Sequence, residues 1–174
     1  MRHSMKTIRL ILKLTLIIFS SILIASLFGA IHNQLSYSVS KEFFTNFLFG
    51  KFEINEWNIN NRLRAAFVGV LGSYLVGFYL GIFYSTIYLF VKTKKNLKNI
   101  FKAIFINVGT AFLGSLIAFF TAAFLIRPEH SGVFVDFGTG NPENYIQAAY
   151  MHIGSYYGSV IGLILGIIFL FRRQ

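Results

Sequence analysis

Four long apolar stretches, separated by polar segments, run through this chain at residues 14–31, 65–91, 103–126 and 145–171. Each is long enough to cross a hydrocarbon core of roughly 30 Å as a helix. The pattern predicts an all-α membrane protein: a four-transmembrane-helix bundle forming one integral membrane domain over residues 1–174. The first run follows a basic start, as in a signal peptide. It is longer than a usual signal core, however, and Phe28 occupies a position near Ala30 where cleavage needs a small residue, so a retained anchor is expected. The fourth helix has a clear start signal. Asn141 caps, Pro142 suits the first helical position, and Glu143 complements the positive helix end. A helix from there to Phe171 spans about 45 Å, so its first turns should stand above the hydrocarbon.

The polar segments differ in character. Residues 32–64 are long for a connector, and a short amphipathic interfacial helix is expected within them. Ser40 would cap it, Glu42 would lie in its first turn, and Gly50 would end it. Phe43, Phe44, Phe47 and Leu48 would share its apolar side, with Lys41, Thr45 and Asn46 turned away, so the helix would lie at the membrane surface or cover the bundle mouth as a roof over the outer end. Trp57 suits the same headgroup zone. Residues 127–144 hold Gly132, Gly138, Gly140 and two prolines, which predicts turns.

Charge then orients the bundle. Arg2, Lys6, Arg9 and Lys13 precede the first stretch. Lys92, Lys94, Lys95, Lys98 and Lys102 fall in or beside the segment 92–102, and Arg172 and Arg173 follow the last stretch. All six acidic residues lie in the other two segments. Because Lys and Arg are retained on the cytoplasmic side, both termini and the loop 92–102 are expected inside, and the loops 32–64 and 127–144 outside. The same placement explains the net charge of +10 through orientation and anionic headgroups, so no nucleic-acid partner is expected. The absence of cysteine removes disulfides, thiolate metal sites and cysteine nucleophiles.

Small residues recur at every fourth position. Gly69, Ser73, Gly77 and Gly81 do so in the second stretch, Thr110, Gly114, Ala118 and Ala122 in the third, and Gly154, Gly158, Gly162 and Gly166 in the fourth. Lipid gives helices no hydrophobic reason to associate, so such ladders predict close backbone packing. Packing within the bundle is the first expectation for them, ahead of a sliding or gating seam; a partner membrane protein or a homo-oligomer is the rival use.

Candidate chemistry gathers at the outer end. His32 closes the first apolar run and His152 opens the last, which puts the two at similar depth. With Glu42 they offer a His/Glu/His donor set for a divalent metal. The two histidines also suit a bis-histidine haem, and an imidazole oriented by Glu42 suits acid–base chemistry. Asn33, Arg62, Glu129, His130, Asp136 and Tyr156 are expected around them. Ionisable groups near membrane depth are costly unless paired or hydrated, so this layer is either functional or a hydrogen-bonded interfacial belt. No nucleophile elbow, zinc-protease helix, phosphate loop or dinucleotide fingerprint is present. Serines 36, 38 and 40 read as turn and capping residues. The apolar middles of the spans disfavour a small-solute channel, which needs a continuous polar path.

The segment His32-Asn33-Gln34-Leu35-Ser36-Tyr37-Ser38-Val39-Ser40-Lys41-Glu42-Phe43-Phe44, together with Met151-His152-Ile153-Gly154-Ser155-Tyr156-Tyr157-Gly158, resembles a family of small uncharacterised bacterial four-span integral membrane proteins. In that family a His-Asp or His-Asn pair ends the first span, and a Glu-aromatic-Phe follows. A histidine with Ser-Tyr and spaced glycines heads the last. The resemblance implies a bacterial inner (cytoplasmic) membrane location and a shared outer-face feature made by His32, Glu42 and His152. It implies no activity. Asn33 stands where the family often has Asp, which weakens any metal site needing that carboxylate. The expectation is therefore an outer-face His/Glu cluster that binds a metal ion or haem. The alternatives are an accessory or assembly subunit packing through its glycine ladders, and a small-solute channel.

Overall fold

The computed structural model describes residues 2–90 and 97–172, so Lys92, Lys94, Lys95 and Arg173 lie outside the described residues. It is all-α: α1 (Arg2–Val39), a π-helical turn (Phe43–Leu48) running into the short α2 (Phe49–Lys51), α3 (Asn61–Phe90), α4 (Leu97–Leu125), a 3-10 turn (Pro128–His130) and α5 (Pro142–Arg172). No strand occurs among the described residues. Met5–Val39, Asn61–Phe90, Leu97–Leu125 and Pro142–Arg172 are each long and apolar enough to cross a membrane. Their outward faces present side chains such as Phe19, Leu27, Phe105, Ile117 and Ile164, a surface suited to lipid rather than water. The chain is a multi-pass membrane protein.

α5 begins at Pro142 as the capping signal predicts. The Asn141 Oδ1 accepts from the Asn144 N–H at 3.0 Å, and the Asn141 carbonyl accepts from Tyr145 N–H at 3.1 Å. α1 is longer than the apolar run 14–31 at both ends. Lys6, Arg9 and Lys13 are good helix formers and continue it toward the N-terminus. Residues 32–39 continue it at the other end because their polar groups find partners on neighbouring helices, as with Asn33 Nδ2, which donates to the Ala65 carbonyl at 3.0 Å. Hydropathy marks where the apolar run ends, and here the helix outlasts it.

The expected amphipathic segment forms, with a different face. Ser40 Oγ accepts from Phe43 N–H at 3.2 Å, as a cap should. The following turn is π-helical, so the residues that align are five apart rather than four. Phe43 and Leu48 go in, as do Phe44 and Phe49, while Phe47 is left exposed. Of the two places expected for this segment, the membrane surface and the bundle mouth, it takes the mouth. It packs with Tyr37, Ile54, Ala65, Val68, Tyr145 and Ala148 into a roof over one end of the bundle. A second cluster, Ile17, Tyr84, Tyr88, Ile100, Ala103, Ile104 and Leu170, closes the other end as a floor.

Between roof and floor the helices associate as two pairs, α1 with α3 and α4 with α5. The small-residue ladders make both seams. A Cβ at Gly69 would fall on the Gly29 carbonyl, and one at Gly77 would lie 2.7 Å from the Ser21 carbonyl oxygen. Across the other seam a Cβ at Gly154 would meet the Gly114 carbonyl, and one at Gly162 would lie 2.7 Å from Asn107 Cα. The ladders are thus filled from within the chain. The α1 side of its seam, Ser21, Ala25 and Gly29, carries the same four-residue spacing less conspicuously. The two pairs meet more loosely: α1 touches α4 and α5 lightly, and α3 barely approaches either.

Candidate functional site

α1 presents two faces. Ser21, Ala25, Gly29 and Asn33 look toward α3, and Phe28, His32 and Ser36 look toward α4 and α5. His32 is buried, and its Nε2 lies 2.9 Å from the hydroxyl of fully buried Ser115 on α4. Its Nδ1 lies 3.5 Å from Asn33 Oδ1. Half-buried His152, on α5, has Nε2 3.2 Å from the hydroxyl of buried Ser36. The two imidazoles meet edge to face with centroids 4.9 Å apart. Phe28 lies against His32 at 5.6 Å, and Phe43 and Phe44 lie against His152 at 5.3 and 6.1 Å. The histidine pair therefore joins α1 to α4 and α5 where backbone contact is sparse, directly beneath the roof.

Glu42 does not join them. The chain bends after Ser40 and carries this carboxylate to the loop before α5. There Oε1 accepts from the Gly140 N–H at 2.8 Å and Oε2 from the Asn141 N–H at 3.1 Å. An anion at this place suits the unpaired donors and positive dipole of a helix start. The expected His32/Glu42/His152 set is consequently not assembled. Among the described residues no group of three or more His, Cys, Asp or Glu side chains is placed to hold a metal ion. Nor does the pair fit a haem: two rings in edge-to-face contact leave no space for a porphyrin between them.

The other expected neighbours divide in the same way. Asn33 and Tyr156 line the cavity described below. Asn33 suits its place because its amide donates to the Ala65 carbonyl, which an aspartate could not do. Arg62 lies outside, reaching Ser38 Oγ at 3.2 Å and covering the Tyr37 ring at 5.3 Å. Glu129 and His130 are exposed in the 3-10 turn. Asp136 organises its own turn, its carbonyl accepting from Thr139 N–H at 3.1 Å and Oγ1 at 2.8 Å.

Three features are not evident from the sequence. Ser115 hides in an apolar run one position from the Gly114 ladder, and Ser36 reads as a capping serine. The larger omission is a cavity of about 420 Å³ between the two helix pairs. It runs from the roof, where Lys51, Phe52 and Phe134 line it, past His32, Asn33 and His152, and down to Tyr84, Asn107 and Ser159. Its shaft is mostly apolar: Ile24, Phe28, Val76, Leu80, Val108 and Ala111. At its foot Asn107 Nδ2 donates to the Ser159 carbonyl at 2.7 Å, Ser159 Oγ donates back to Asn107 Oδ1 at 3.0 Å, and the Tyr84 hydroxyl donates to the Ala103 carbonyl at 3.2 Å. Those polar groups are already satisfied. Ser36 and Ser115 do not line the cavity but stand behind the histidines and hold them. No family model matches the chain, and no curated protein or solved structure is detectably similar to it.

Proposed function

We propose that this protein binds an amphipathic, lipid-like molecule, with the apolar chain in the cavity between the helix pairs and the polar head beside His32 and His152. The cavity itself carries the reading. Its volume of about 420 Å³ lies in the range of ligand pockets, roughly 300–1,000 Å³. It sits at membrane depth with an apolar shaft and unlike ends: ligand-facing imidazoles below the roof, self-satisfied polar groups at the floor. α3 hardly approaches α4, which leaves a side through which a chain can enter from the bilayer. The serines fix the ring positions while Nδ1 of His152 is left without a hydrogen-bond partner among the described residues.

The location proposed is the bacterial cytoplasmic membrane with both termini inside. The Lys/Arg distribution supports this orientation, in which the histidine pair would lie in the outer leaflet. Other readings have less support. A divalent metal would find two imidazoles and no carboxylate. An accessory subunit would have to dock by some face other than its ladders, which are filled internally. A channel for polar solutes meets an apolar shaft and a packed floor.

Native mass spectrometry of gently extracted protein tests the proposal. A lipid-like adduct is expected on the wild type and lost in Val76→Trp, which fills the shaft. Equal occupancy in the two proteins would refute it.

A further inference from the structure

We infer that the head of the bound amphiphile is anionic, a carboxylate or phosphate, and that it carries a single chain; this rests on the reading of the cavity as an amphiphile site. The first observation is the sign of the polar groups around the cavity. Lys51, His32 and His152 line it, with Asn33 beside them, and no Asp or Glu is among the lining residues. The nearby acid in sequence, Glu42, is turned away and engaged by the Gly140 and Asn141 N–H groups. The Lys51 ammonium lies over the Phe47 ring, 5.4 Å from its centroid, a contact that orients the side chain without neutralising it.

The Lys51 ammonium and Nδ1 of His152 thus offer N–H donors to a cavity whose lining holds no carboxylate. A neutral head such as a hydroxyl would gain nothing from the charge of that ammonium. A carboxylate or phosphate accepts from the ammonium and an imidazole at once, through the stronger charge-assisted type of hydrogen bond.

The second observation is the shape. The lining residues on α3 run from Val68 to Tyr84, which is about 24 Å at about 1.5 Å per residue. That exceeds half of a roughly 30 Å hydrocarbon core, the depth of one leaflet's tails. The volume of about 420 Å³ nevertheless lies near the lower end of the pocket range. A cavity so long and of so little volume is narrow, which fits one chain rather than two.

The test titrates the purified full-length protein, in a non-ionic detergent, with palmitate, hexadecyl phosphate and hexadecanol, reading adducts by native mass spectrometry. Both anions are expected to bind about tenfold or more tightly than the alcohol. Lys51→Gln, at an exposed position, is expected to remove most of that preference. Whether palmitate or the alkyl phosphate leads then distinguishes a fatty acid from a phosphate-headed ligand. Equal binding of all three, or a preference that survives Lys51→Gln, overturns the anionic inference and leaves the cavity reading standing. Binding of none, with Val76→Trp indistinguishable from the wild type, removes both. A two-chain phosphatidic acid that binds as tightly as the single-chain anions overturns the single-chain assignment.

Discussion

Adding one methyl group at Gly158 and one at Gly109 should move stability in opposite directions, although both lie within spanning helices. At Gly158 an added Cβ would sit 2.9 Å from Ala111 Cα and 3.0 Å from the Thr110 carbonyl carbon, and closer still to the Thr110 carbonyl oxygen. Every one of those atoms is backbone, so relief requires α4 and α5 to separate. Overpacking of this kind costs about 1–3 kcal/mol. Alanine's better helix propensity returns roughly 1 kcal/mol, leaving Gly158→Ala destabilised by up to about 2 kcal/mol. At Gly109 the same methyl meets nothing within 4 Å. There only the propensity gain remains, on the order of 1 kcal/mol in the stabilising direction. The propensity gain is common to both, so the two variants should differ by the overpacking cost, about 1–3 kcal/mol. Reversible unfolding in mixed micelles, followed by helical circular dichroism, measures this difference. If Gly158→Ala proved as stable as Gly109→Ala, α4 and α5 would not be in backbone contact along this ladder, and the paired-helix architecture would be wrong.

Three further outcomes follow from individual contacts. Ser115→Ala leaves a nitrogen of buried His32 without its partner and should cost about 1–3 kcal/mol in the same unfolding assay. Ser36→Ala should cost less, because His152 is only half-buried. Glu42→Gln should cost about 1 kcal/mol through weaker capping at the start of α5, while ligand occupancy at the histidine pair stays unchanged. A fall in occupancy with no change in stability would return Glu42 to the site. The cysteine-free chain also permits clean single-cysteine labelling. In intact cells, Asn58→Cys should react with an impermeant thiol reagent and Lys102→Cys should not. The opposite pattern would reverse the proposed orientation.

The helices were legible in the sequence because apolar length and small-residue spacing each report one helix at a time. The α5 start could be read from Asn141-Pro142-Glu143 for the same local reason. What could not be read depends on geometry between elements. His32 and His152 could be put at one depth by counting residues from span ends, and the structure brings their rings together. Glu42 could not be placed by counting, because a bend after Ser40 and a π turn intervene, and these set its direction. The π turn also changes which phenylalanines face inward: Phe49 is buried and Phe47 exposed, because alignment here follows a five-residue rather than a four-residue period. The cavity was the least legible feature. Its walls are ordinary apolar side chains, and a void exists only because the tight ladders join α1 to α3 and α4 to α5, and not α3 to α4.

The central claim, that a lipid-like chain occupies the space between the helix pairs, is tested most directly by photo-cross-linking. A fatty acid carrying a diazirine at mid-chain would be activated with the protein in nanodiscs, and the labelled residues mapped by mass spectrometry. Labels on the cavity walls of both pairs, at Val76 or Leu80 on α3 and at Val108 or Ala111 on α4, are the expected result. Labels confined to outward residues such as Phe78, Phe105 and Ile117 would mean that the chain meets the protein only as solvent, and would contradict the account.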